Sequence, residues 1–277
     1  KLRVSKKFKG ELKISRGEKV AFCLEKDYEE LYFKKINQIL VPIVYSGEFN
    51  DFKNVKHIYM KDAAMKFKVL RFKENYILAV TMQGGIFRAE KGINAPNLDR
   101  SLLCLTDKDK RDIEWGLTRG INIITLSYVS KADDVREVKS FIKEIKHKYK
   151  IKNKVKLYSK IECKEGCDNF EEILKISDGI VLGRGDLKGE VDITNIPIID
   201  KTIINRMKKS RKKLFIATYL LEHMSKFSTP SIGEIDDIYR FINSRVNGFI
   251  LCTELTVSRR PEKIIKALKT FINIYSH

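Results

Sequence analysis

From Thr106 onward, five short apolar runs recur, each meeting a polar side chain at or just past its end: INIITLS, KLYSKIE, DGIVLG, KLFIAT and GFILCTE. Successive runs start roughly 20 to 35 residues apart, the spacing at which a strand, a helix and their loops repeat in parallel βα units. The segments between them carry helical signals. Thr106 is placed as the N-cap of a helix running through Trp115, with Asp109 giving a capping box and Gly120 ending the helix. Val135, Val138, Phe141, Ile142 and Ile145 recur at three- and four-residue steps and give the next helix one apolar face. Such alternation predicts an α/β fold with a parallel sheet or β/α barrel. Ser127, Lys160 with Glu162, Asp186 just past its strand, Thr218 and Glu254 then all stand at carboxyl ends of strands, where barrel enzymes assemble their sites. A closed barrel of this type has eight strands, so the pattern predicts three further strands missing from the start of the chain.

The preceding segment has a different texture. Short alternating strands are expected at Glu11 to Ile14, Lys19 to Leu24, Ile39 to Tyr45, His57 to Met60, Lys66 to Phe72 and Asn75 to Thr81, with Gly17, Gly47 and Gly84-Gly85 at turns. Residues 1–90 therefore read as a small β domain and residues 91–277 as a β/α segment.

Composition narrows the classes. With 277 residues, 43% of them hydrophobic, the chain can bury a core for one or two domains. No apolar run approaches the roughly 20 residues of a membrane helix, and the Lys-rich beginning lacks the apolar stretch and cleavage site of a leader. Cys23, Cys104, Cys163, Cys167 and Cys252 are odd in number and scattered, which suits a reducing cytoplasm. The net charge of +19 raises the possibility of nucleic-acid binding. Against it, Lys is abundant along the whole chain, and the densest run, Lys143 to Lys156, falls at a helix end, where cations are favoured. A basic field equally attracts a small phosphate-bearing substrate.

The polar groups at the strand ends suggest a chemistry. Lys160 and Glu162 are two apart on a strand and so share a face; spacing alone leaves a structural ion pair as an equal reading. Asp186 follows Gly183-Arg184-Gly185, a turn able to aim backbone N–H groups at an anion. Carboxylates on adjacent strands suit Mg²⁺, which takes one or two from protein and leaves its other positions to water and substrate oxygens. Ser127 and Glu254 are secondary candidates, for which a capping Ser or an ion-paired Glu is an equal reading.

The run SKIECKEGCDNFEEILKISDGIVLGRGDL resembles the pyruvate kinase sequence SKIEN, a following glycine, NFDEIL, SDGI and ARGDL. KGINAP is similar to that family's KGVNLP, LTDKDKRDIEWG to its LTEKD helix start, ITLSYV to its SFV strand, ATYLLEHM to ATQMLESM, Pro230 to Asp237 to PTRAEVSD, and LCTELT to LSGETA. Order and spacing agree from about Lys91 to the end, and the β segment fits the family's lid domain in position and length. The resemblance implies part of a (β/α)8 TIM-type barrel, family strands 4 to 8, with an inserted β-barrel lid. It implies phosphoryl transfer between phosphoenolpyruvate and ADP in a cytoplasmic glycolytic enzyme, a homotetramer without membrane or nucleic-acid partners. By the same resemblance Lys160 is the catalytic lysine and Glu162 and Asp186 hold Mg²⁺. The N–H groups of Gly185 and Asp186 receive the substrate carboxylate, Thr218 contacts that carboxylate near the proton delivered to the enolate, and Ser127 adds to substrate binding. K⁺ is implied too, with ligands in a preceding segment to which Lys1-Leu2-Arg3 would be the remnant.

The chain departs from the family pattern at several places. Lys188 replaces a glycine, Tyr219 a glutamine, Ile232 and Ser130 arginines, Thr253 a glycine, and Lys61-Asp62-Ala63 an Asp-Asp-Gly turn. These changes favour an alternative: a catalytically impaired relative that binds a metabolite or partner. Lys160, Glu162, Asp186 and Thr218 together favour an enzyme.

Overall fold

Among the described residues, nine short strands, rich in β-branched and aromatic residues, make up the first part of the chain: β1 (Leu2–Val4), β2 (Glu11–Ile14), β3 (Lys19–Leu24), β4 (Ile39–Val44), β5 (His57–Met60), β6 (Met65–Phe72), β7 (Ile77–Gln83), β8 (Gly85–Arg88) and β9 (Gly92–Asn94). The computed structural model describes residues 2–100 and 105–276, so Cys104 lies outside the described residues. Seven strands close into a barrel in the order β1-β4-β3-β7-β6-β5-β9, while β2 and β8 pair separately. Alternation sets its inside. Ile58 and Met60 of β5 are fully buried while His57 and Tyr59 between them face outward. Phe22, Phe67 and Phe87 meet in the core, with Phe22 edge-on to Phe67 at 5.3 Å and Phe67 tilted against Phe87 at 5.4 Å. Each such ring contributes about 1.5–3 kcal/mol through burial.

Strands β1, β8 and β9 were not expected from sequence, nor was the helix α1 (Tyr28–Phe33). Three or four residues are too few for a period to show. The strand expected from Asn75 begins at Ile77, because Lys73 N–H donates to the carbonyl of Tyr76 and closes a turn there.

The β5–β6 turn carries Lys61, Asp62 and Ala63 in succession at φ values of +53°, +51° and +63°. Left-handed backbone costs a Cβ-bearing residue about 1 kcal/mol or more. Ala63→Gly is expected to stabilise the protein by about 1 kcal/mol, read as a rise in the denaturant midpoint at unchanged slope.

The second part holds β10 (Ile123–Leu126), β11 (Lys156–Ile161), β12 (Gly179–Gly183), β13 (Lys213–Ala217) and β14 (Gly248–Ile250), parallel throughout and in sequential order. Helices fill the connections: α2 (Asp107–Thr118) precedes β10, α3 (Ala132–Lys148) follows it, and α4 (Lys164–Asp168) and α5 (Phe170–Ile176) follow β11. After β12 come α6 (Arg184–Glu190) and α7 (Ile196–Lys208), then α8 (Ile232–Asn243) after β13, and α9 (Thr253–Thr256) and α10 (Pro261–Tyr275) after β14. The start of α2 has the expected box: Thr106 Oγ1 accepts from Asp109 N–H at 3.1 Å, and Asp109 Oδ2 accepts from Thr106 N–H at 3.0 Å. On α3, Val135, Val138, Ile142 and Ile145 form the buried face. The central strand β12 is buried at every residue, which explains its unbroken apolar run. On the edge strands, Ile123 and Ile250 stand exposed.

Two units result: Lys1–Arg111 with Lys188–Asp192, and Asp112–Leu187 with Ile193–His277. Within the first, Glu190 is held by Arg100 at 3.1 Å and by Asn94 at 3.3 Å, with the Arg100 and Glu190 side chains almost wholly buried. No described helix is long and apolar enough to cross a membrane.

Candidate active site

The parallel register places the polar groups of neighbouring strands together. Lys160 is the Cα partner of Val181, so the carboxyl end of β11 lies alongside Leu182 and Gly183 of β12, and Gly183 pairs with Ala217 of β13. Lys160 Nζ sits 2.6 Å from Glu162 Oε2. Glu162 is 1% exposed, and its other oxygen accepts from the backbone N–H of Tyr128 at 3.0 Å. Burial alone would lower the Lys160 pKa. The charges of Glu162 and then Asp186 outweigh that, so the ammonium titrates above its usual 10.5 and stays charged through the neutral range.

Gly183 supplies the room for this pair. A Cβ there would lie 2.8 Å from Glu162 Oε2 and 2.9 Å from Lys160 Cε. Gly183→Ala is therefore expected to push the pair apart and destabilise the second unit by about 1–3 kcal/mol. Thermal unfolding of the variant checks this; an unchanged midpoint would mean that the pair has space to spare.

Thr218, just beyond β13, has φ +68°, and Tyr219 follows at +52°. A left-handed β-branched residue is a genuine outlier that the surroundings must hold. They do so from two sides. Thr218 Oγ1 accepts from Gly185 N–H at 2.7 Å and donates to Ala217 O at 2.6 Å. The carbonyls of Thr218 and Tyr219 both accept from Arg184 Nη2 at 2.8 Å. Arg184 is itself buried. Its Nη1 donates to Asp237 at 2.8 Å and lies 3.8 Å from Asp200, and its guanidinium packs 4.9 Å over the Phe241 ring. Burial raises the Asp200 carboxyl despite Arg184 and Arg240, whereas the two arginines overcome burial at Asp237 and hold it below the usual 3.8.

Asp186 is 9% exposed in the first turn of α6, and its charge reaches Lys160. Ser127 stands exposed past β10, and it is the N–H of its neighbour Tyr128 that reaches Glu162. Glu254 is 1% exposed on α9, with neither carboxylate oxygen hydrogen-bonded among the described residues. Its field, after burial, pushes up the thiol of Cys252, which also feels Lys160. Sequence reasoning missed Arg184, Tyr128 and Cys252. The signal for Arg184 was an arginine between two glycines right after a buried strand. Of the family departures, Ser130 is buried and bonded to Asp134, Ile232 begins α8 with its side chain 79% exposed, Thr253 begins α9, and Lys188 is half-buried on α6.

Sequential parallel βα units with an ammonium and carboxylates at their carboxyl ends, together with a closed β barrel, define an α/β protein built on part of a (β/α)8-type barrel with a small β-barrel domain. Residues 1–264 match the family described as pyruvate kinase, barrel domain, and the chain belongs to the pyruvate kinase family. Among curated relatives, the pyruvate kinase of Lactobacillus delbrueckii subsp. bulgaricus is 28% identical over 261 residues, covering 94% of this chain and 42% of its own length. That of Clostridium perfringens is 32% identical over 212 residues, 76% of this chain and 44% of its own. That of Thermotoga maritima is 31% identical over 255 residues, 88% and 53%. The chain thus spans about half the length of the curated relatives it matches.

Proposed function

We propose that the protein transfers a phosphoryl group between phosphoenolpyruvate and ADP. The observation that carries this is the pair of half-buried Lys160 and buried Glu162 within the field of Asp186, at the carboxyl ends of adjacent strands in a chain of this family. Phosphoryl transfer asks a protein mainly for positioning and charge stabilisation. Lys160, kept charged, balances the negative charge on the phosphoryl oxygens. Glu162 and Asp186 fit Mg²⁺: two low-exposure carboxylates are the hard oxygen donors it takes, leaving other positions to substrate and water. When bound, the ion would neutralise phosphate charge. The Gly185 N–H, held by Thr218 Oγ1, receives a substrate carboxylate by exchanging one acceptor for another. Thr218, strained and rigidly held, is then positioned beside that carboxylate and the carbon to be protonated.

K⁺, a homotetrameric assembly and a cytoplasmic location belong to the same reading by family resemblance, and Ser127 is a peripheral substrate contact in it. A second reading, metabolite binding without turnover, is favoured by Lys188, half-buried on the helix that carries Asp186. Calorimetric titration with phosphoenolpyruvate, with and without Mg²⁺, tests the site assignment. Binding should tighten with Mg²⁺, and Glu162→Gln should remove that gain. A gain that survives in Glu162→Gln would take Glu162 out of the metal site.

A further inference from the structure

The surface of the first unit carries a cleft that the phosphoryl-transfer reading leaves unused. It has a volume of about 830 Å³, within the range of small-molecule sites, and lies where the start of β5 faces the far end of β6. Lys53, Lys56 and Lys68 line it with His57, and among the described residues no carboxylate does. None of the three lysines forms an ion pair among the described residues. All three are exposed to solvent, and together they give the cleft a positive field that attracts a small anion.

Its apolar part has a backbone cause. On β6, Val69 pairs with Ala79 and Arg71 with Leu78, which leaves Leu70 as a bulged residue between them. A bulge bends its strand and re-aims the side chains around it. Leu70 and Phe72, large apolar side chains 43% and 39% exposed, line the cleft as a result, over the buried Val55. The cleft therefore sets cations beside an exposed aromatic and aliphatic surface, which a bare phosphate would not use.

Partial burial and then the charges of Lys66, Lys68 and Lys56 hold the His57 imidazole below its usual 6.5. The groups facing it are these lysines, the lining Lys53 and the Tyr59 ring, whose centroid is 6.1 Å away.

We propose that this cleft binds a small phosphate ester with a planar or apolar group, nucleotide-like in chemistry, its phosphate among Lys53, Lys56 and Lys68 and its organic part against Leu70 and Phe72. This site lies within the β-barrel unit and stands independently of the phosphoryl-transfer reading. The test is an NMR titration of the whole chain with AMP and, separately, with inorganic phosphate, followed at the His57 ring. AMP should bind at least tenfold more tightly than phosphate and raise the His57 pKa, because an anion offsets the lysine field. The exposed double variant Lys56→Ser/Lys68→Ser should weaken AMP tenfold or more, and Phe72→Ser should bring AMP down to the affinity of phosphate. Lys143→Ser/Lys146→Ser on α3 should change neither. Equal affinity for AMP and phosphate, an unmoved His57, or an equal loss in the α3 variant would overturn the proposal. So would binding of a single-stranded oligonucleotide at His57 with no response to AMP.

Discussion

Lys160→Met is expected to lower turnover by about a hundredfold to a thousandfold, as removal of a positioned charge from a transferring group typically costs about 3–4 kcal/mol of barrier. It should also lower stability, because Glu162, 1% exposed, loses the ammonium 2.6 Å away. Orphaning one partner of a buried pair costs about 3 kcal/mol, and the partial exposure of Lys160 reduces that to about 2. The two losses separate in the double variant. Lys160→Met with Glu162→Gln removes both charges of the pair and leaves only Asp186 without the ammonium, so its chemical denaturation midpoint should recover in large part while activity stays absent. Recovery of activity along with stability would mean that Lys160 acts only through the fold.

Arg184→Met should be the most destabilising single change, by about 4 kcal/mol in the second unit. It leaves Asp237 and the buried Asp200 with Arg240 as their remaining cation and releases the two carbonyls that hold Thr218 and Tyr219 in left-handed backbone. The effect has a pH signature. Asp200 has a raised folded pKa, so its ionised form costs stability above that pKa and the cost disappears as pH falls through it. Without Arg184 this cost grows, and protonation relieves it at a higher pH. Asp237 is lowered in the native protein, so its contribution is present above its unfolded pKa and lost as pH falls through the folded one. The Asp200 effect makes the gap between variant and parent narrow as pH falls from about 7 to about 4, whereas the Asp237 contribution is lost only below its usual 3.8. Urea unfolding at both values measures it. Arg184→Lys restores charge but not the forked contact to two carbonyls, and should lie between the two.

These two residues also mark what could be read from the chain alone. Lys160 and Glu162 were legible because a strand period of two puts them on one face, and an ammonium beside a carboxylate is conspicuous in an apolar run. The β/α alternation was legible for the same reason: runs such as GIVLG are buried on both faces, and the helix between β10 and β11 repeats its apolar residues at helical steps. Arg184 was not legible as a brace. Its partners Asp200 and Asp237 are brought to it only by the packing of α7 and α8, and the left-handed turn that it holds leaves no mark in Thr218-Tyr219, neither being a glycine. Nor could the hydrogen bond between Thr218 and Gly185 be read, since it joins turns after different strands. In the first unit, strands of four or more residues other than β8 were found, whereas β1 and β9, three residues each, gain their pairing from barrel closure. The bulge at Leu70 sits inside a run that reads as an ordinary strand.

The most direct measurement is pyruvate formation from phosphoenolpyruvate and ADP in the presence of Mg²⁺ and K⁺, on the folded protein and on its Lys160→Met variant. The account predicts turnover that requires Mg²⁺ and is lost in the variant. Absence of turnover in a protein shown to be folded and to bind phosphoenolpyruvate would contradict it and leave binding without catalysis as the role of this site.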